Sequence, residues 1–159
     1  MLDERRLETV DCVFDAEAAG RLLIESFAPW LLKLGLKVEL VEAGRPPGAP
    51  ADWQPGAVLR LPFSPGICNF GGAVCGQSLM ALADTSMMLA CAAAWNGYRP
   101  MTPIDQTMHF LRPVTFDVVA DARVVRVDRR TSFGRVMLYS DLDKCPVGMV
   151  ASAYATANA

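Results

Sequence analysis

Residues 71–95, GGAVCGQSLMALADTSMMLACAAAW, hold a single formal charge, Asp84, in a run dominated by Ala, Leu and Met. Those residues are good helix formers, and Asn96 and Gly97 behind them supply a helix stop. A helix of this length would reach about 36 Å at ~1.5 Å per residue. It is apolar nearly all round, a pattern that predicts burial rather than one wet face. A lone carboxylate on a buried helix is costly unless it is paired or used. The fold must therefore wrap this helix and give Asp84 either a partner or a task.

Three readings stay open on these residues. A membrane span comes close in length and hydropathy. Against it, Gln77 and Asp84 fall in the first half, only residues 87–95 run uninterrupted, and an intramembrane Asp is expensive. In a second reading Asp84 only bonds a neighbouring strand, as buried structural carboxylates do. In the third it is a working group kept away from bulk water.

The rest of the chain suits a wrapping role. Asp15 can cap a helix from Ala16 to about Phe27, Pro29 breaks or restarts it, and a short turn follows at residues 30–34, ending at Gly35. Residues 36–40, LKVEL, alternate apolar and charged and predict a strand with one wet face. A Pro/Gly loop at 44–56 leads to a second strand at 57–61. Past the long helix come four runs of strand character, at 101–111, 116–127, 133–142 and 147–156. In the second, Val118, Ala120, Ala122 and Val124 share one side. Short links between consecutive strands imply antiparallel neighbours. Ten-residue strands span roughly 33 Å at ~3.3 Å each, enough for a curved antiparallel sheet to clasp the helix. The predicted class is α+β, with residues 1–35 as a helical extension and 36–159 as the main body. At 159 residues the length prior gives one domain overall.

Charge and cysteines bound the partners. With 15 basic and 17 acidic side chains the net charge is -2, so no basic field invites nucleic acid. The opening MLDERRLETV has no apolar core and does not read as a secretory signal; residues 2–11 are polar and expected to be loosely held. Cys12, Cys68, Cys75, Cys91 and Cys145 show no zinc-type spacing. Their odd number suits reduced thiols in the cytosol. No membrane association is expected.

A local pattern makes the plan more specific. Asn69, then Cys75-Gly76-Gln77, then Leu82-Ala83-Asp84-Thr85, then Phe110-Leu111-Arg112-Pro113 resembles the phenylacetate-degradation-type (PaaI-like) acyl-CoA thioesterases of the hotdog fold. The resemblance covers roughly residues 36–156. In that family an Asn in the loop precedes His-Gly-Gly at the helix start, and an Asp or Glu follows about two turns later. Two departures stand out. Cys75-Gly76-Gln77 replaces His-Gly-Gly, and the family's Ser or Thr on the strand after the helix falls on Pro103, with Thr102 beside it. The resemblance implies a homodimer or homotetramer with active sites at the dimer interface, an acyl-CoA substrate, and no metal or redox cofactor.

The residue chemistry is compatible with thioester hydrolysis. Gly76 lies in the first turn of the helix, where N–H groups lack intrahelical partners and the dipole favours negative charge. Its N–H is a candidate oxyanion donor, a role worth roughly 3–4 kcal/mol; close helix-on-sheet packing is the alternative. Asp84 lies eight residues on, about 12 Å along the axis at ~1.5 Å per residue. The two cannot touch one carbonyl within a chain, so the resemblance's paired subunits would have to bring them together. Asp84 is the candidate base on water or nucleophile. Gln77 shares its face and could hold water or thioester; Asn69 could orient either, or be a turn residue. Cys75, Met80, Met88 and Thr102 are candidate substrate contacts, and Arg112, Arg129 and Arg130 candidate grips for phosphates. A Cys75 nucleophile served by His109 is a rival, as are a non-catalytic acyl-CoA binder and a hydratase or dehydratase on the same fold.

Overall fold

The computed structural model describes residues 13–156. Its elements run α1 (Ala16–Ser26), α2 (Pro29–Leu32), β1 (Lys37–Glu42), β2 (Gly56–Leu61), a 3-10 turn at Pro65–Ile67, α3 (Gly76–Ala94), β3 (Met101–Phe110), β4 (Val118–Val127), β5 (Thr131–Ser140) and β6 (Pro146–Thr156). Cys12 and the polar stretch at 2–11 lie outside the described residues.

The long helix is the centre of the molecule, but it starts five residues later than its composition suggests. Ahead of it the Asn69 side-chain oxygen accepts from the Gly71 and Ala73 N–H groups at 2.9 and 3.3 Å. Gly72 sits at φ +78°, and Cys68 bridges antiparallel to Val74. A side chain that bonds its own backbone competes with helix, and a left-handed residue ends any attempt at one. Helix α3 is therefore 19 residues long, about 28 Å at ~1.5 Å per residue. The stop falls where expected. Asn96 takes φ +53°, its N–H reaches the Ala93 carbonyl at 3.1 Å, and the Gly97 N–H reaches Ala92 at 2.8 Å. This pair of hydrogen bonds at the last turn satisfies carbonyls the helix leaves open.

One six-stranded sheet curves around α3 in the order β1-β2-β4-β5-β6-β3, every neighbouring pair antiparallel. The alternation in β4 is real: Val118, Ala120, Ala122 and Val124 are all buried. They meet Leu82, Ala83, Met87 and Ala90 of the helix in one core, with Leu59, Leu61, Val136 and Leu138. Gly134 lets the helix approach closely, since a Cβ there would fall 2.2 Å from the Met87 methyl. Burial of this helix on the sheet is the main stabilising term, at about 25 cal/mol per Å² of apolar surface removed from water.

Chain order misleads about β3. A short link joins it to β4, yet its partner is β6, at the far side of β4 and β5. The link at 111–117 buries Val114 and gives its carbonyl to the Val74 N–H at 2.9 Å. It thereby passes the helix start instead of turning tightly. Strand β3 is left as a sheet edge.

The N-terminal helices follow their signals. The Asp15 carboxylate caps α1 by accepting the Ala18 N–H at 2.8 Å, Pro29 opens α2, and Gly35 ends the segment at φ +66°. Among the described residues no helix is long and apolar enough to cross a membrane.

Candidate active site

Asp84 is half-buried, and its two oxygens have different surroundings. The Tyr154 hydroxyl donates to Oδ1 at 2.5 Å. Among the described residues Oδ2 accepts no hydrogen bond, and the side chain lines two adjoining hollows. The structural reading of the carboxylate thus describes Oδ1, and Oδ2 is the candidate for the functional one. Tyr154 itself is fully buried. Burial, and then the negative charge of Asp84, push its hydroxyl far above the ordinary phenol range. It stays a donor under all ordinary conditions and fixes the carboxylate against rotation.

The larger hollow, of about 400 Å³, is lined by Trp30, Gln77, Met80, Ala81, Asp84, Pro103 and Gln106. The smaller, of about 170 Å³, is lined by Phe27, Ala28, Trp30, Leu31, Ala81, Asp84, Thr85 and Met88. Gln77, Met80 and Met88 therefore gather around Asp84 as candidates. Thr102 lines neither hollow. Pro103 does, and a bulge between Pro103 and Asp105 shifts the next inward polar residue to Gln106. Its Nε2 donates to the Met80 carbonyl at 3.2 Å.

Gly76 does not share a hollow with Asp84. It opens α3 beside a separate pocket of about 310 Å³, with Asn69, Leu79, Phe110 and Arg112 among its walls. A Cβ on Gly76 would lie 3.1 Å from the Phe110 ring, so the packing role is present, and its N–H belongs to the first turn, which has no intrahelical acceptor for it. Asn69 spends its side-chain oxygen on the turn, which leaves only its amide nitrogen for a ligand. Arg112 is gripped by both oxygens of Asp143, at 2.6 and 2.8 Å. Arg129 and Arg130 sit exposed on the β4–β5 turn and line none of these hollows.

Cys75 is the N-cap of α3, with its sulfur 3.2 Å from the Ser78 hydroxyl. That hydrogen bond, opposed by burial and helped by first-turn N–H groups, lowers the thiol below its ordinary range. It lines none of the three hollows. His109 is exposed on β3. The described cysteines are all free, and Cys91, deep in the core, is pushed up to about 12 by burial.

Tyr154, Gln106 and Trp30 are the residues the sequence did not single out. Tyr154 had a trace: it shares the inward face of its strand with Val150 and Ser152. Gln106 and Trp30 had none, because a bulge and a helix placement decide them.

A long helix clasped by one antiparallel sheet, with a half-buried carboxylate opening on an apolar groove, defines a hotdog protein. The model of the thioesterase superfamily matches residues 70–146, from the turn ahead of α3 to the start of β6. A point mutant of the phenylacetic acid degradation protein PaaI from Thermus thermophilus is 26% identical, with a TM-score of 0.64 over 80% of this chain and 98% of that one. The PaaI protein of the Escherichia coli phenylacetic acid degradation operon superposes with a TM-score of 0.72 at 18% identity, covering 90% of this chain and 94% of that one. A thioesterase from Haemophilus influenzae gives 0.71 at 18% identity, over 90% of each chain. At 18% these last two show the fold alone. No curated protein matches the sequence. The resemblance to PaaI-like hotdog thioesterases read from Asn69, Asp84 and their neighbours is borne out.

Proposed function

We propose that the protein is a cytosolic acyl-CoA thioesterase, hydrolysing an acyl-CoA to a carboxylate and free CoA at sites built between two subunits. The observation that carries this reading is the divided state of Asp84: Oδ1 accepts from Tyr154 at 2.5 Å, Oδ2 accepts no hydrogen bond among the described residues, and the side chain lines both hollows. A carboxylate so held can take a proton from water attacking the thioester carbonyl, or attack that carbonyl itself. The developing oxyanion would be met by the Gly76 N–H of the other subunit. The leaving thiolate departs as CoA. Strand β3, an exposed sheet edge beside the larger hollow, suits pairing with a second copy, since open edges present unpaired N–H and C=O groups. On this reading the chain divides between residues 35 and 36, with an N-terminal extension ahead of a hotdog domain.

The test is release of free thiol from a panel of acyl-CoA esters. Turnover is expected with at least one member, and Asp84→Asn should lower it at least 100-fold with an unchanged circular dichroism spectrum. Tight binding of CoA esters without thiol release would instead make the protein a non-catalytic binder. Hydration of an enoyl-CoA without thiol release would make it a hydratase.

A further inference from the structure

Helices α1 and α2 add something the sheet and α3 do not provide. The smaller hollow, about 170 Å³, is a partly open cleft between α3 and the segment carrying Phe27, Trp30 and Leu31. It shares three walls with the larger groove: Trp30, Ala81 and Asp84. Trp30 is thus a wall common to the two spaces, which also share the carboxylate. Phe27, Leu31 and Met88 complete the smaller one. Among the described residues no Lys or Arg lines either space, so neither suits the phosphates of CoA. The larger groove opens beside β3, where Pro103 and Gln106 mark the sheet edge. The smaller one runs under α2 instead.

We propose that the hollow beneath α2 receives the acyl chain, and that Trp30 is the wall that limits acyl length. This rests on the thioesterase reading. A dry cavity of roughly 150 Å³ holds a molecule the size of benzene, so a space of about 170 Å³ takes roughly six carbons beyond the carbonyl. Longer chains must displace the indole, which is 59% exposed and held by a four-residue helix. Specificity of this kind is graded rather than absolute, because one methylene in an apolar pocket changes the rate about 10- to 200-fold.

The experiment compares the wild-type protein, Trp30→Ala and Ala28→Phe on straight-chain acyl-CoAs of four to twelve carbons, by kcat/KM for thiol release. In parallel, the affinity of non-hydrolysable thioether analogues of the same lengths is measured by calorimetry. The wild type should fall off beyond about seven carbons, the carbonyl included. Trp30→Ala should move the optimum at least two carbons longer and raise kcat/KM for the twelve-carbon ester at least fivefold. Ala28→Phe, which fills only the smaller hollow, should shift it shorter. Identical length profiles in all three proteins, or equal losses at every length, would overturn the proposal while leaving the hydrolase reading intact. Length-dependent thioether binding that shifts with both variants, without thiol release from any ester, would uphold the subsite and sink the hydrolase reading.

Discussion

The Tyr154 hydroxyl and the Asp84 carboxylate are joined at 2.5 Å across the boundary between sheet and helix. This contact converts a flexible side chain into a fixed one and leaves one carboxylate oxygen with no hydrogen bond among the described residues. In the proposed mechanism Tyr154 would act on substrate only through Asp84, which would make it a positioning residue. Tyr154→Phe keeps the ring in its fully buried site and removes the one donor. We expect kcat to fall about tenfold, equivalent to ~1.4 kcal/mol of barrier, with KM within about twofold of wild type. In an Asp84→Asn background the same change should do nothing further, because the two residues act as a unit. Steady-state kinetics of the four proteins check this; an equal loss in both backgrounds would reduce Tyr154 to a packing residue.

Gly76 and Asp84 line different pockets of one chain, so the proposed site needs two subunits. Gly76→Val should clash with Phe110, whose ring lies 3.1 Å from a Cβ at this position, and abolish turnover. Asp84→Asn should abolish it independently. Mixing and exchanging the two inactive proteins should restore activity, because the mixed dimer holds one intact pairing of Asp84 with the partner's helix start. Random exchange into C2 dimers gives about a quarter of wild-type activity. A mixture that stays inactive after verified subunit exchange would place the whole site within one chain.

The parts of this architecture that were legible are those set by local chemistry. Asp84 announced itself by being the one charge in an apolar run, and the Val118–Val127 strand by its period of two. Asp15, Pro29 and Gly35 marked the N-terminal helices because caps and breakers act on their nearest neighbours. What stayed hidden depends on contacts distant in sequence. Tyr154 meets Asp84 because β6 lies between β5 and β3, and nothing in a strand pattern states strand order. Strand alternation put Pro103, rather than Thr102, against the groove, and the bulge after it put Gln106 there in place of Asp105. The first turn of α3 was read too early because Asn69 and Gly72 divert the backbone by bonds that composition does not display.

Arg60 ties the sheet to its connecting loops and gives the fold an acid-sensitive point. Its guanidinium contacts Asp141 at 2.7 Å and Asp117 at 3.2 Å, and also binds Glu39. Arg60, and then Lys144, hold the Asp141 carboxyl down at about 2, against 3.8 ordinarily. A carboxyl depressed by folding stabilises the native state above its unfolded pKa and loses that contribution as pH falls through the folded one. Asp141→Asn should therefore lower the urea midpoint at pH 7 and pH 5, with the difference from wild type closing between about pH 4 and pH 2. Urea titrations at four pH values measure it. A difference that persists unchanged at pH 2 would show that Asp141 acts by shape rather than charge.

Cys75 and Cys91 lie on the same helix and should differ sharply in reactivity. The Ser78 hydroxyl, 3.2 Å from the Cys75 sulfur, stabilises the thiolate and lowers its pKa. Burial raises Cys91 to about 12 and also shuts out reagents. The thiolate is the species that reacts, so at pH 7 iodoacetamide should label Cys75 and leave Cys91 untouched until the protein is unfolded. Ser78→Ala removes the hydroxyl that favours the charged form. It should slow Cys75 labelling several-fold at pH 7 and move the labelling-rate profile to higher pH, as read by mass spectrometry of quenched samples. Equal labelling rates in wild type and Ser78→Ala would mean that the helix N-terminus alone sets the thiol's reactivity, with no part played by Ser78.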